Sequence, residues 1–126
     1  MENLTKSSTK RTGNRGEDKA ADFLLRTGYK IVSRNFRTRD GEIDIIAEND
    51  DVLCFVEVKT FPNGSLDLLR NVLGKRKRKR IIKTAKFFLS GHREYINNYI
   101  RFDVIVNDMP GLPSVYHIEN AFAELL

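Results

Sequence analysis

The sequence lacks the features of membrane-spanning, secreted and disulfide-stabilised proteins. No apolar run approaches the roughly 18 to 20 residues that a membrane span needs, and Met1 to Asn14 lack the apolar stretch of a secretory signal. The single cysteine, Cys54, excludes an internal disulfide and cannot by itself form a thiolate metal site, so we interpret it as a small buried hydrophobe. These absences predict a soluble, cytoplasmic protein with no membrane partner.

Length and composition are those of one globular domain. The 126 residues are 40% hydrophobic and 31% charged, which suits one hydrophobic core and leaves no room for a second. No internal repeat or linker divides the chain. Because almost nothing apolar precedes Gly13, we predict a flexible N-terminal arm over residues 1–13 and a folded domain over residues 14–126.

Apolar periodicity and turn residues predict the order helix, three strands, helix, two strands, helix. Asn14 is expected to cap the first helix, which ends at Gly28. A helical segment is predicted from Ser65, with Gly74 as a candidate break before it resumes through an apolar stripe that ends at Leu89, and a short helix from Asn120. The predicted strands are Tyr29–Phe36, Glu42–Glu48, Val52–Lys59, Ile100–Val106 and Ser114–Glu119. This order predicts an α/β sandwich, a central mixed sheet flanked by helices.

Positive charge is concentrated in one segment. The formal net charge is +5, and nine basic residues with no acidic ones lie between Arg70 and Lys86. A phosphate backbone is the usual counter-surface for such a block, and a solvated helix face is the alternative. The candidate nucleic-acid contacts are the unbroken run Lys75, Arg76, Lys77, Arg78, Lys79 and Arg80. Lys77 lies four residues before Ile81 and so near the buried face, which favours a contact at the edge of a site over a solvated cation.

Two predicted strands carry charged side chains on one face of a hairpin. If residues 50–51 form a two-residue turn, Asp44 lies opposite Glu57 and Glu42 lies opposite Lys59. The residues of the opposite face are all apolar: Ile43, Ile45, Cys54, Val56 and Val58. A slip by one residue would bury the charges, so this pattern fixes the register.

The opposed carboxylates of Asp44 and Glu57 suggest a metal site. At a Cβ separation of ~4.5 to 5.5 Å, two carboxylates repel unless a positive charge lies between them, and Mg²⁺ takes such oxygen ligands. Lys59 follows two residues later on the same face, where its ammonium can act on a water or a reacting phosphate. The alternative is a solvent-exposed face on which Glu42 and Lys59 form an ordinary cross-strand ion pair.

At these residues the chain resembles a known nuclease core. The segments Gly41–Asp44 and Phe55–Lys59 are similar to the PD-(D/E)xK motif. From about Gly13 to Phe122, the chain resembles the YraN family of small bacterial proteins, itself similar to archaeal Holliday junction resolvases. Further matching pieces are Gly16 with Glu17, Gly28 with Tyr29, Asn35 with Arg37, Lys77 ahead of Ala85, and Arg101 to Val104. The departures are Ile43, where the motif has proline, and Thr60 with Phe61, where family members often have an arginine.

The resemblance implies a restriction-endonuclease-like fold and a metal-dependent nuclease activity. It implies that Asp44 and Glu57 are ligands of Mg²⁺ or Mn²⁺ and that Lys59 is the catalytic lysine. It also implies that Glu17 reaches the same site from the first helix, whereas position alone favours an interaction of Glu17 with the helix dipole. Arg37 joins the candidate nucleic-acid contacts.

The remaining polar residues are interpreted as structural or supporting. Glu42 has a supporting role at the site, and Arg101 with Asp103 is expected to form a structural ion pair behind it. His92 and His117 have no partners at ligand-like spacing, so we interpret both as surface or satisfied structural residues.

Three functional hypotheses follow from these residues. The leading one is an endonuclease that uses Mg²⁺ or Mn²⁺ to hydrolyse phosphodiesters in structured or branched DNA, with RNA as an open alternative substrate. The second is a DNA- or RNA-binding module that uses the same fold and basic helix with little or no turnover. The third is an interaction protein whose basic run docks an acidic partner. A two-fold homodimer would suit a branched substrate by analogy.

Overall fold

Five strands form one mixed sheet that is covered by a helix on each face. The computed structural model describes residues 4–61 and 73–123, and for residues 4–14 it describes the backbone alone. The elements in chain order are α1 (Leu4–Arg26), β1 (Lys30–Thr38), β2 (Gly41–Asn49), β3 (Val52–Thr60), α2 (Lys75–Gly91), a 3₁₀ turn (Arg93–Tyr95), β4 (Tyr99–Asn107) and β5 (Val115–Phe122). The strand order is β1-β2-β3-β4-β5, with β3 and β4 parallel and the other neighbours antiparallel. The predicted α/β sandwich around a mixed sheet is confirmed.

The sheet buries apolar side chains on both faces. Ile45 and Val56 pack against α1, whereas Ile46 and Phe55 pack against α2 together with Ile43, which the sequence placed on the other face. The face predicted to carry charges is therefore apolar where it packs against α2, and Glu42 and Asp44 cluster instead with Glu17 of α1. The predicted apolar stripe of α2 makes this contact through the buried side chains of Ile81, Ala85 and Phe88. Of the described helices, neither combines the length and the apolarity that a membrane crossing requires.

The β2–β3 hairpin has the predicted turn and register over half of its length. Asp50 opens the turn with a left-handed φ of 52°, which aspartate tolerates at such positions. The paired residues run from Asn49–Val52 to Ile45–Val56. The predicted register is confirmed over this stretch, and because both faces are buried here, the two-residue turn and not the alternation of apolar residues accounts for it.

Beyond this stretch β2 and β3 form no further backbone pairs, and a hydrogen bond to a side chain joins them instead. The Val58 N–H donates to Oδ2 of Asp44 at 2.8 Å, while β3 continues beside β4 to its end. The predicted direct pairing of Asp44 with Glu57, and of Glu42 with Lys59, is therefore wrong, because the strands separate before these residues although the register itself is the predicted one. The carboxylate of Asp44 replaces the backbone partner that β2 does not supply, which leaves the ends of β2 and β3 free to carry a site.

The first helix begins earlier than the sequence predicted. α1 starts at Leu4, so Asn14 lies inside the helix and is not its cap. Residues 4–12 contain no glycine or proline, and a helix that is held further along by packing propagates readily through such a segment. Residues 4–13 therefore have helical backbone, and the flexibility of the predicted arm stays a prediction. The predicted helix start at Ser65 lies outside the described residues.

The predicted C-terminal helix from Asn120 is wrong within the described part of the chain. β5 continues to Phe122, whose ring stacks on Phe102 of β4 with the centroids 5.1 Å apart. Asn120 adopts a left-handed φ of 54°, which its short polar side chain tolerates, and its N–H donates to Asp103 Oδ1 at 2.9 Å. Burial of Phe122 and this hydrogen bond keep the chain in the sheet.

Candidate active site

Three carboxylates from two elements meet at the end of the sheet. Glu17 of α1 and the β2 residues Glu42 and Asp44 have carboxylate oxygens within 4.8 Å of one another. The two β2 residues alternate with the buried Ile43 and Ile45, which fix this part of the strand. Of the residues predicted at the site, the structure thus brings Glu17, Asp44 and the supporting residue Glu42 together.

Gly16 allows α1 to bring Glu17 into this cluster. A Cβ atom at Gly16 would lie 3.0 Å from Thr60 Oγ1, so only glycine fits this close approach without a shift of its neighbour. Nδ2 of the buried Asn107 donates to the Gly16 carbonyl at 2.9 Å and ties the helix to β4. Because α1 begins at Leu4, Glu17 is far from the first turn, and the helix-dipole alternative for Glu17 is wrong.

Burial, with a contribution from neighbouring carboxylates, raises the pKa of two carboxyl groups of the cluster, Asp44 and Glu17. Burial first, and then the charges of Glu57, Glu17 and Glu42, raise the pKa of Asp44 from 3.8 to about 7 against the opposing hydrogen bond from the Val58 N–H. Burial also raises the pKa of Glu17, in part offset by the guanidinium of Arg34 at 3.4 Å. With the described residues Asp44 forms no salt bridge, so its charge is the least compensated of the cluster.

Glu57 lies at the same opening but is bound to two lysines. The opening is lined by Glu42, Asp44, Glu57 and Lys77 among others. Oε1 of Glu57 lies 2.7 Å from Lys77 Nζ and 3.3 Å from Lys59 Nζ, and its side chain is buried. The sequence predicted Asp44 and Glu57 as a pair of metal ligands; in the structure, lysine ammonium groups occupy one oxygen of Glu57.

The two lysines differ in their pKa. Burial and then the neighbouring Lys77 lower the pKa of Lys59 despite the attraction of Glu57. Burial alone would lower the pKa of Lys77 too, but the hydrogen bonds to Glu57 and Lys59 and the charges of Glu57 and Asp44 together outweigh burial and raise it. Lys59 is therefore the ammonium that gives up a proton more easily, a property that suits proton transfer in a site.

The alternative interpretation of a simple cross-strand ion pair between Glu42 and Lys59 is wrong. Glu42 Oε2 instead accepts from Nε of Arg37 in β1 at 3.1 Å. Lys59 pairs with Glu57 on its own strand. Arg37, predicted as a nucleic-acid contact, therefore touches the acidic cluster while most of its side chain faces water.

The donor set fits a hard divalent cation. All of the converging atoms are carboxylate oxygens, the ligand type that Mg²⁺ and Mn²⁺ prefer. The raised pKa of Asp44 reflects burial first and then repulsion by the neighbouring carboxylates, and such a cation would relieve this repulsion. Glu17, Glu42 and Asp44 are the residues placed to hold it, and Glu57 would join them if its carboxylate left the lysines.

A basic cleft adjoins the acidic cluster. It lies between the β1–β2 turn and the first half of α2, has a volume of about 990 Å³, and shares Glu42, Arg76 and Arg80 with the opening of the acidic cluster. Its basic lining residues are Arg37, Arg39, Lys75, Arg76, Lys79, Arg80 and Lys83. Five of the seven predicted nucleic-acid contacts thus line one cleft. Of the other two, Lys77 forms an ion pair with Glu57, and Arg78 lines a different groove.

Sequence reasoning missed three basic residues of this region. Arg39 lies in the tight turn between β1 and β2, and Lys83 lies one helical turn after Lys79, a spacing that could have identified it. Arg34 carries the ion pairs to Glu17 and to Asp18, the latter at 2.7 Å. Nothing in the local sequence around Arg34 indicates a partner on another element.

Arg101 and Asp103 form the structural ion pair that the sequence predicted. Asp103 is fully buried, and the Arg101 guanidinium donates to both of its oxygens at 2.9 to 3.1 Å. Although burial opposes it, hydrogen bonds from His117, Arg101 and the Asn120 N–H hold the pKa of Asp103 below its ordinary value. His117 Nε2 lies 2.7 Å from Asp103, so this histidine is a satisfied structural residue, as expected.

Comparison with known proteins shows which family the chain belongs to. The model of the uncharacterised protein family UPF0102 matches residues 16–106. A UPF0102 protein of Treponema pallidum is 46% identical over 115 residues, covering 88% of this chain and 91% of that protein. UPF0102 proteins of Treponema denticola and Clostridium acetobutylicum are 42% and 40% identical, covering 89% and 90% of this chain and 95% and 94% of their own lengths. The resemblance to the YraN family is thereby confirmed, and the chain belongs to the uncharacterised protein family UPF0102.

Proposed function

We propose that the protein is a metal-dependent endonuclease that hydrolyses phosphodiester bonds in structured or branched DNA. The observation that carries the proposal is the convergence of Glu17, Glu42 and Asp44 within 4.8 Å, beside the contact between Glu57 and Lys59. A cluster of carboxylates that can hold a metal ion, next to a lysine, provides the charged groups that phosphodiester hydrolysis needs. The resemblance to PD-(D/E)xK nucleases supports the same assignment.

Each residue of the cluster has a distinct role in this proposal. Asp44, Glu17 and Glu42, with Glu57 once its carboxylate is free, would hold Mg²⁺ or Mn²⁺, which when bound would supply positive charge at the scissile phosphate. Lys59 orients the nucleophilic water or accepts its proton, because burial and then Lys77 lower the pKa of Lys59. Glu17 and Asp44 come from different elements, so the site depends on the packing of α1 against the sheet.

The basic cleft would hold the nucleic-acid backbone. Its arginines and lysines present positive charge along one wall, and Arg76 and Arg80 line both the cleft and the acidic opening. Such contacts position a duplex without reading its sequence. A backbone that follows the cleft would pass the acidic cluster, and a homodimer would place two such sites on one branched substrate.

Cleavage assays test the proposal directly. Linear, flapped and four-way DNA are incubated with Mg²⁺ or Mn²⁺ and wild type, Asp44→Asn, Glu57→Ala or Lys59→Ala. We expect cleavage by wild type and a loss of about 100-fold or more in each variant. Asp22→Asn is the matched control, because Asp22 is an exposed carboxylate paired with Arg26. Undiminished cleavage in the site variants would overturn the assignment of the site.

A second candidate function is nucleic-acid binding without turnover. The observation that favours it is the ion pair between Lys77 and Glu57, which engages one proposed metal ligand. In this case the basic cleft binds DNA or RNA equally well in EDTA and in Mn²⁺, Asp44→Asn leaves binding unchanged, and no product forms. If the protein instead binds all polyanions with similar affinity, the result would support the third hypothesis, in which the basic run docks an acidic partner.

A further inference from the structure

The ammonium of Lys77 contacts a carboxylate oxygen that a metal ion would also use as a ligand. Its ammonium lies 2.7 Å from Oε1 of the buried Glu57, closer than Lys59 Nζ at 3.3 Å to the same oxygen. Lys77 comes from the first turn of α2, whereas Glu57 and Lys59 belong to β3. The ion pair therefore links the basic helix to the acidic site.

Two of the other acidic residues of the site have their own basic partners, whereas Asp44 forms no salt bridge with the described residues. Glu17 contacts Arg34 at 3.4 Å and Glu42 contacts Arg37 at 3.1 Å. Glu57 differs in that its partner, Lys77, lines the acidic opening itself, whereas Arg37 lines the basic cleft and not this opening. The neighbours of Lys77 on α2, among them Arg76, line both the basic cleft and the acidic opening.

We propose that Lys77 is a positioning residue that couples nucleic-acid binding to metal loading. Without nucleic acid, its ammonium neutralises Glu57 and keeps that carboxylate from a divalent cation. A phosphate in the cleft attracts the ammonium of Lys77, which frees Glu57 to join Asp44 as a ligand. This inference rests on the proposed function, since it assigns a regulatory contact to the same site.

The exposure of the two lysines indicates which one moves. The side chain of Lys77 is 42% exposed, whereas that of Lys59 is 29% exposed and starts from the paired part of β3. Lys77 also lines the opening that it shares with Asp44, Glu57 and Arg80. A phosphate that enters this opening meets Lys77 at its rim, so Lys77 can change partner without a rearrangement of the sheet.

Titration with Mn²⁺ alone tests the first half of the coupling. Calorimetry without nucleic acid compares wild type with Lys77→Met and Lys77→Arg. We expect Lys77→Met to bind Mn²⁺ about fivefold or more tightly than wild type, because one competing charge is gone. Lys77→Arg keeps the charge and should retain the wild-type affinity. Thermal unfolding of each variant checks that the fold is intact.

The matched control is Lys79→Met. Lys79 lies on the same helix and carries the same charge, but it lines the basic cleft and not the acidic opening. Its removal should change the Mn²⁺ affinity by less than about twofold, because solvent and salt screen a more distant charge. Equal or weaker Mn²⁺ binding in Lys77→Met, or an equal gain in both variants, would overturn the inference.

The second half of the coupling is measured with DNA. Anisotropy of a labelled duplex is recorded with and without Ca²⁺, and a gel shows that the duplex stays intact. By thermodynamic linkage the cation should tighten duplex binding by wild type, and this gain should shrink in Lys77→Met. The inference fails if the gain is the same in both proteins.

The two proposals fail in distinguishable ways. If wild type cleaves DNA, Asp44→Asn does not, and Lys77→Met has unchanged Mn²⁺ affinity, the nuclease assignment stands and the role of Lys77 is refuted. If Lys77→Met binds Mn²⁺ more tightly but wild type cleaves none of the substrates, the competition between lysine and metal stands and the nuclease activity is refuted.

Discussion

Replacing Asp44 by asparagine is expected to stabilise the metal-free protein at neutral pH. Asparagine has nearly the same shape, and its amide oxygen can still accept the hydrogen bond that the Val58 N–H donates at 2.8 Å. The substitution removes a carboxyl group whose pKa is raised from 3.8 to about 7, first by burial and then by Glu57, Glu17 and Glu42. Wild type therefore loses stability when this carboxyl group ionises.

The size and the pH window of the effect follow from linkage. Because the folded-state pKa of Asp44 lies above its ordinary value, the folded protein retains this proton more strongly than the unfolded chain does. Its contribution to stability is complete below pH 3.8 and is lost as the pH rises through about 7. At about 1.4 kcal/mol per pKa unit the ceiling is about 4 kcal/mol. Asp44 is partly exposed, so screening reduces the expected gain to about 1–2 kcal/mol.

Urea unfolding in EDTA measures this difference. At pH 7 the midpoint of Asp44→Asn should exceed that of wild type, and near pH 4 the two should nearly coincide. Added Mn²⁺ should raise the wild-type midpoint and leave the variant almost unchanged, because the variant lacks a charged ligand. Asp22→Asn, on the exposed side of α1, controls for the loss of any carboxylate. A variant that is no more stable than wild type at pH 7, or a difference that is independent of pH, would refute the reasoning.

Three further predictions concern the support of the site and its charge. Gly16→Val should cost about 1–3 kcal/mol in thermal unfolding and weaken Mn²⁺ binding, because its side chain meets Thr60 Oγ1; unchanged Mn²⁺ affinity would contradict the role of Gly16. Asp103→Ala should cost about 3–5 kcal/mol in urea, since it leaves Arg101 without its buried partner; a loss below about 1 kcal/mol would argue against that pair. Arg80→Gln should reduce the slope of log K against log salt for duplex binding by about 1, and an unchanged slope would remove Arg80 from the interface.

The parts of the fold that depend on local pattern could be predicted from the sequence. The hairpin register followed from a two-residue turn at residues 50–51, and the pairing of Asn49 with Val52 confirms it. The buried stripe of α2 followed from helical spacing, and Ile81 and Phe88 lie in the core as expected. Asp103 was predicted as a structural partner of Arg101 because the two alternate with apolar residues on one strand.

Features set by packing between distant segments could not be predicted from spacing. The strand pairing that stops before Asp44 depends on the pairing of β3 with β4, which no local signal gives. The helix predicted from Asn120 was wrong because burial of Phe122 in the sheet outweighs a weak local preference. The contact of Lys77 with Glu57 joins α2 to β3, and the sequence placed Lys77 near the site without identifying its partner.

The distribution of basic partners indicates how a cation would enter the site. Arg34, Arg37 and Lys77 each contact a different carboxylate, so a metal ion must compete with a charge of the protein at Glu17, Glu42 and Glu57. Asp44 has no such competitor among the described residues, and burial and then the charges of Glu57, Glu17 and Glu42 raise its pKa. In the proposed metal site, a divalent cation would therefore meet no competing basic group of the described residues at Asp44, and the affinity of the site would depend on displacing the basic partners of Glu17, Glu42 and Glu57.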